Sequence, residues 1–285
     1  MRVEGPLRAG ISGRVWWLAG LSPRRRWYVG GMSALVAVIV LVVAGRFALA
    51  RAGRDAGPAA DQSTPGPVVL VPGYGGGTDG LAVLARRFER LGRRAVIVLP
   101  PGNGTGDLRK QADSLDRRVN ALLRGGAPSV DVVGYSAGGV VTRLWARDHN
   151  GAHKARRIVT LGSPHQGADV SAAGAALSPG ACPTACQQLV PDSPLLRGLG
   201  DRVGDSPEWM SVWTTRDQVV TPPESARLDG AINVVLQEIC PDVRTGHDAL
   251  PSDPLVGGLV LRALGSDLMT TPAPSDCASL RADGS

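Results

Sequence analysis

Six short apolar runs, most of them β-branched, recur along the chain, and most are separated by stretches of helical period. The runs cover residues 68–72 (VVLVP), 95–100 (AVIVLP), 130–135 (VDVVGY), 156–162 (RRIVTLG), 209–215 (WMSVWTT) and 232–237 (INVVLQ). Near-continuous apolar character in runs this short is the mark of strands buried on both faces. Between them, residues 79–91 carry Leu81, Leu84, Phe88 and Leu91 at helical spacing. Residues 107–124 do the same with Leu108, Leu115, Val119 and Leu122, and residues 137–148 and 255–264 add two more helices. Alternation of this kind predicts an α/β fold, with a mostly parallel central sheet covered by helices on both faces. Residues 168–208 break the pattern with Gly, Pro and Ala, and read as an excursion over the sheet, a lid or one wall of a cleft.

The formal net charge of +6 is unevenly distributed. Residues 1–55 hold nine arginines against Glu4 and Asp55, a net of +7, and the remaining 230 residues sum to −1. A nucleic-acid-binding domain carries its basic excess on its own folded surface, so this distribution argues against one. The excess instead flanks residues 27–45, an uncharged stretch of 19 residues that as a helix spans about 28 Å, close to the thickness of a bilayer core. Arg24, Arg25 and Arg26 directly precede it and orient the N-terminus to the cytoplasm. The expected order is a basic cytoplasmic N-terminus (1–26), a transmembrane signal anchor or signal peptide (27–50), a linker (51–66) and a folded α/β domain (67–285) outside the cytoplasm. The favoured localisation is the cell membrane, as a single-pass protein. The alternative is secretion after cleavage near Ala50, at the A-x-A-like sequence 48–50, but the length of the apolar run and Arg46 favour the anchor.

All four cysteines, Cys182, Cys186, Cys240 and Cys277, fall on the exported side, where two disulfides are expected. Three pairings exist. The preferred one joins Cys182 to Cys186 in a short loop, and Cys240 to Cys277 across the C-terminal tail; the other two stay open. The spacing does not fit two close ligand pairs, so no metal site is expected.

The third strand runs into Gly134-Tyr135-Ser136-Ala137-Gly138 and then a helix. G-x-S-x-G between strand and helix forces the serine into a sharp, strained turn and leaves its hydroxyl at a helix N-terminus, where the dipole favours negative charge. Ser136 is therefore the expected nucleophile. A tetrahedral intermediate needs donors for its oxyanion. The backbone N–H of Ala137 is one, and that of Tyr74, in the glycine-rich sequence 72–77 (PGYGGG), is the other. Hydrolases with such a nucleophile turn order their triad Ser, acid, His. His247, after the sixth strand, fits the base, whereas His165 comes too early and reads as a loop-shaping residue. Asp217, two residues past the fifth strand, fits the acid; Glu224, Asp229, Asp242 and Asp248 are its weaker competitors.

The sequences VPGYGG, VDVVGYSAGG, VTLGSPHQG, RDQVVTPPESARLDGAINV and TGHDALP together resemble the bacterial lipase family of the α/β-hydrolase fold. The nearest likeness is to actinobacterial secreted lipases, with a more distant one to the small lidless Bacillus lipase. It covers roughly residues 67–264 and leaves the N-terminal span outside. The resemblance implies hydrolysis of triacylglycerol or another carboxylic ester by Ser136, Asp217 and His247, with Tyr74 and Ala137 as oxyanion donors and no cofactor. Pro72-Gly73 stands where many lipases have His-Gly, a departure that leaves the backbone donor in place. The implied partners are an ester or lipid substrate and, through the span, a membrane; no nucleic acid is expected. Two rival functions use the same chain. An acyltransferase would pass the acyl group to an acceptor other than water, and product analysis with added alcohols separates it. A non-catalytic binding module would leave Ser136 unlabelled by a fluorophosphonate.

Overall fold

The computed structural model describes residues 63–169 and 182–285, together with Asp61 and, nearer the N-terminus, Arg24, Met32, residues 35–43, Gly45 and Arg46. Its contacts divide the chain into two units, residues 1–56 and 57–285. In the first, residues 35–43 are helical and exposed. The rest of the expected span, residues 27–45, falls largely outside the described residues. Among the described residues no helix is long and apolar enough to cross a membrane.

In the second unit the six runs form one sheet. Its strands are β1 (Val68–Val71), β2 (Ala95–Ile97), β3 (Val130–Tyr135), β4 (Ala155–Leu161), β5 (Glu208–Trp213) and β6 (Ile232–Val235). Their order is β2-β1-β3-β4-β5-β6, and all five pairings are parallel. Parallel neighbours need crossovers, and these are supplied by α1 (Asp79–Arg90), α2 (Leu108–Arg124) and α3 (Ala137–Asp148). The side-chain alternation of the strands sorts them into two cores. Val68, Leu70, Val133 and Val159 face Leu81, Leu84 and Phe88 of α1 and the apolar side of α7 (Pro254–Ala263). Val69, Val71, Val132 and Ile158 face α2 and α3 on the other side.

Several helix boundaries have local causes. Asp107 caps α2 by accepting from Arg109 N (3.0 Å), and Asp253 caps α7 by accepting from Leu255 N and Val256 N (2.7 and 3.2 Å), with Pro254 at the first helical position. Between β4 and β5 the described residues hold two short helices, α4 (Thr184–Gln188) and α5 (Pro194–Leu199), and no strand. Residues 170–181 of the expected lid lie outside the described residues. Gln188 fastens α4 to the start of α2, accepting from Leu108 N (2.8 Å) and donating to Asp107 Oδ1 (2.7 Å).

Three readings are corrected. The sheet is wholly rather than mostly parallel. The sixth strand stops at Val235, because residues 236–239 wind into a helical turn, α6 (Leu236–Ile239). A last helix, α8 (Cys277–Asp283), was absent from the sequence reading. It packs so closely on α7 that a Cβ on Gly258 would stand 1.9 Å from Leu280 O. The Cys240–Cys277 disulfide fastens its start, and Cys182–Cys186 closes the loop at α4, so the preferred pairing is the one present.

At the N-terminal ends of the strands, Asp131 is fully buried on β3. It pairs with Arg156 (Nη2–Oδ2 2.6 Å, Nε–Oδ1 3.1 Å) and with Arg93. The same guanidiniums donate to Leu264 O at the end of α7, Arg93 at 2.6 Å and Arg156 at 2.7 Å. This network holds the carbonyl end of α7 against the sheet.

Candidate functional site

Topology fixes where a site can form. From β1 the chain crosses to β2 on one side and then returns to β3 on the other, so the loops leaving β1 and β3 part at their carboxyl ends. In open parallel sheets that switch point opens a crevice. Val71 is in register with Gly134, which brings the loop after β1 beside the turn after β3.

Ser136 occupies that turn with φ 52° and ψ −126°, a left-handed conformation a non-glycine residue adopts only under constraint. The small neighbours are a steric necessity. A Cβ on Gly138 would stand 2.3 Å from Val71 O, and one on Gly134 2.6 Å from Gly139 Cα. The strand–helix junction closes only without those side chains. Ser136 N donates to Leu161 O of β4 (2.8 Å), and its side chain ends at the N-terminus of α3.

Asp217 and His247 meet the serine from the far half of the sheet. His247 Nδ1 lies 2.7 Å from Asp217 Oδ2, and its Nε2 lies 3.0 Å from Ser136 Oγ. A carboxylate only accepts, so Nδ1 carries the proton facing it, and Nε2 is left to accept from the serine hydroxyl. The other oxygen of Asp217 accepts from Val219 N (2.9 Å) and Val220 N (2.7 Å), so both carboxylate oxygens are held. All three side chains are buried: Ser136 is 8%, Asp217 6% and His247 4% exposed. The Tyr135 ring lies against the His247 ring at 5.2 Å, and its hydroxyl donates to His247 O (3.3 Å). Burial, with the nearby charges of Asp248 and Asp217, pushes the Tyr135 phenol above its ordinary pKa, so it stays a neutral donor.

The five residues expected at the site are thus gathered at one end of the sheet. Ala137 opens α3, where a backbone N–H has no partner four residues back. Tyr74 begins a short 3-10 turn (Tyr74–Gly76) after Gly73. A Cβ on Gly73 would lie 2.9 Å from Ser136 Cβ, which sets the β1 loop directly beside the serine. His247 Nδ1 is bonded to Asp217 and to no competing carboxylate. Asp242 pairs with Arg281 (3.0 Å). His165 is buried, with Nε2 on Thr160 Oγ1 (3.0 Å), and burial, helped by the charge of Arg143, holds its pKa well below the ordinary histidine value. It is a neutral core residue.

Two contributors escaped the sequence reading. Gly162, at φ +53°, sits behind the acid–histidine pair. A Cβ there would stand 3.2 Å from both Asp217 Oδ2 and His247 Nδ1, and 2.6 Å from Leu250 Cδ1. The glycine ending the fourth run was the available signal. The second is a clamp between the loops bearing Asp217 and His247. Thr214 Oγ1 donates to Thr245 O (2.7 Å) and accepts from Arg216 N and Gln237 Nε2 (3.1 and 2.9 Å), while Gln237 Oε1 accepts from Thr215 N (3.0 Å). No spacing in the sequence announces Gln237 as a partner of Thr214. Among the described residues no group of three or more His, Cys, Asp or Glu is disposed to hold a metal.

The fold is that of the α/β hydrolases, and residues 66–188 match the family model described as the alpha/beta hydrolase fold. Solved structures share the architecture. Lipase B of Aspergillus fumigatus superposes with a TM-score of 0.61 at 20% identity, over 78% of this chain and 57% of that one. The mature lipase BlEst2 of Bacillus licheniformis gives 0.56 at 20% identity, over 73% of this chain and 94% of that one. A structure from the work on LipS and LipT, two metagenome-derived lipolytic enzymes, gives 0.54 at 16%, over 73% and 95%. The chain therefore spans just over half the length of the fungal lipase and nearly all of the other two. At these identities the likeness establishes the fold.

Proposed function

We propose that the protein is an extracytoplasmic serine hydrolase of carboxylic esters, of lipase or esterase type. The observation that carries this reading is the hydrogen-bonded chain Asp217–His247–Ser136 at the carboxyl ends of the strands. His247 Nε2 takes the proton of Ser136 as Oγ attacks the ester carbonyl carbon. The oxyanion is met by the backbone N–H groups of Ala137 and Tyr74, and Asp217 stabilises the imidazolium. Collapse breaks the ester C–O bond, and His247 returns its proton to the departing alcohol. A water molecule then gives its proton to His247 while attacking the acyl-enzyme, and Ser136 is released with the carboxylic acid. Leu99, 67% exposed beside Pro100, offers an apolar contact near the glycine loop: a Cβ on Gly76 would touch Pro100 at 3.1 Å. The lipolytic neighbours support the same substrate class. The uncharged run 27–45 and its preceding arginines support anchoring, with the catalytic unit outside the cytoplasm.

The deciding experiment compares purified wild type with Ser136→Ala on short- and long-chain p-nitrophenyl esters, together with fluorophosphonate labelling. Turnover and labelling are expected from the wild type alone. Equal rates for the two proteins would remove the proposal. N-terminal sequencing of the mature protein is expected to find residues upstream of Ala50, and a start at Arg51 would replace the anchor with secretion.

A further inference from the structure

The end of the sheet opposite the nucleophile carries its own surface chemistry. The chain enters the second unit there: Ser129 Oγ donates to Thr64 O (3.0 Å), and Arg93 Nε donates to Gly66 O (2.8 Å), just before β1. Beside this entry a groove of about 290 Å³ opens between the start of β2 and the last turns of α2, lined by Pro67, Arg94, Arg118 and the backbone of Gly125 and Gly126. Arg94 and Arg118, with Arg124 one turn and a half further along α2, are exposed. None of the three has a carboxylate partner among the described residues. Exposed acids also stand at this end: Asp61, whose N–H donates to Pro128 O (3.3 Å) near the groove, and Glu208 at the start of β5, which is paired with Arg157 (3.0 Å).

Apolar side chains frame the same end. Leu91, which ends α1, is 69% exposed, and Leu268, in the turn after α7, is 81% exposed. Arg93 ties these segments together, since it donates both to Gly66 O and to Leu264 O. Leucines that reach into acyl chains, next to unpaired arginines that meet phosphates, are the two components of interfacial membrane binding.

We infer that this end of the sheet docks on an anionic phospholipid surface, with Arg94, Arg118 and Arg124 against the headgroup phosphates and Leu91 and Leu268 at the acyl boundary. The inference rests on the anchored reading above, because the apolar run 27–45 lies about twenty residues before the entry at Gly66 and keeps the domain near a bilayer. It deepens that reading. Strands six residues long rise about 20 Å from this face to the serine, so the catalytic mouth opens away from the bilayer. The esters it takes then arrive from the far side rather than from the lipid layer beneath it.

The test uses the full chain, as wild type and as the triple variant Arg94→Gln, Arg118→Gln, Arg124→Gln, reconstituted in vesicles of phosphatidylcholine alone or mixed with phosphatidylglycerol. Hydrogen exchange is read at residues 91–95 and 265–268. The wild type is expected to exchange several-fold more slowly with phosphatidylglycerol present, and the triple variant to show no such difference. The variant should keep wild-type turnover of a soluble ester, which reports its fold. Equal wild-type exchange in both lipids, or slowing confined to the loop beside the serine at residues 73–76, overturns docking. Flotation in high salt reports the anchor separately. A chain that fails to float refutes anchoring, and docking is then judged by low-salt flotation with phosphatidylglycerol vesicles. Loss of three arginine contacts should weaken that binding on the order of 100-fold. No binding, or equal binding by the variant, overturns docking.

Discussion

Asp217→Asn isolates the role of one proton. In the structure Oδ1 accepts from two backbone N–H groups, of Val219 and Val220, and Oδ2 accepts from His247 Nδ1. An asparagine has one acceptor oxygen and one NH2 donor. The two fixed N–H groups demand the oxygen, because turning the amide would set NH2 against both. The NH2 must therefore face His247 Nδ1, which becomes an acceptor. The imidazole proton moves to Nε2 and points at Ser136 Oγ, where a base is required. Nearly every heavy-atom contact survives, so the thermal midpoint should stay close to wild type. A wrong-tautomer substitution of this kind costs roughly 10⁴-fold in kcat, about 5.4 kcal/mol of transition-state stabilisation. Asp217→Ala behaves differently: it also orphans the buried N–H of Val220, at about 1–3 kcal/mol, and the part-buried one of Val219, and lowers stability. Steady-state hydrolysis of a short p-nitrophenyl ester, alongside thermal melts of both variants, makes the comparison. A folded Asp217→Asn protein within tenfold of the wild-type kcat would refute the assignment of Asp217 as the acid.

Four further outcomes follow from named contacts. Gly162→Ala forces a Cβ against Leu250 and the Asp217–His247 pair at φ +53°; kcat should fall by at least about tenfold, with roughly 1–2 kcal/mol of backbone strain visible in denaturant melts. Asp131→Ala leaves the Arg156 and Arg93 guanidiniums uncompensated and should cost about 3–5 kcal/mol in chemical denaturation, with the catalytic geometry unaffected in whatever fraction stays folded. Removing Cys240–Cys277, which spans 37 residues, should cost more stability than removing Cys182–Cys186, which spans 4: about 4 against about 2 kcal/mol by loop-closure entropy, read from melts of the double-alanine variants. His165 is neutral in the folded protein and has its pKa lowered by burial, so the unfolded chain binds the extra proton first. Its contribution is complete above the unfolded pKa near 6.5 and is lost below it at up to about 1.4 kcal/mol per pH unit, a slope that His165→Gln should remove from the pH dependence of unfolding.

The sheet was legible because burial on both faces leaves an unbroken apolar run, and every run of that kind became a strand. Its ends were less legible, for a reason that Leu236 illustrates. A leucine continues a strand or begins a helical turn with equal ease, and here the choice falls to tertiary packing: Leu236 and Ile239 bury together in the core shared with α7. The last helix was missed because it has little apolar period of its own. Leu280 is its one buried apolar side chain, and the helix is held by the Cys240–Cys277 bond and by backbone approach at Gly258, neither of which is a periodic signal.

Within the site, legibility divides along the same line. Ser136 is announced by a local motif, since the steric demand of a strand–turn–helix junction writes glycines at fixed offsets around it. Asp217 and His247 are announced only by order along the chain, yet they arrive within 2.7 Å of each other because parallel strands deliver their following loops to one edge of the sheet. What holds them there is written at no fixed spacing. Thr214 and Gln237 sit on different elements and meet only after β5 and β6 have paired in register, Trp213 opposite Val235. Gly162 belongs to a third loop, after β4, and its missing side chain matters only once the acid and the histidine have closed over it. The proposed reacting groups therefore follow from chemistry and chain order, whereas their supports follow from the register of the sheet, and only the folded chain displays that register.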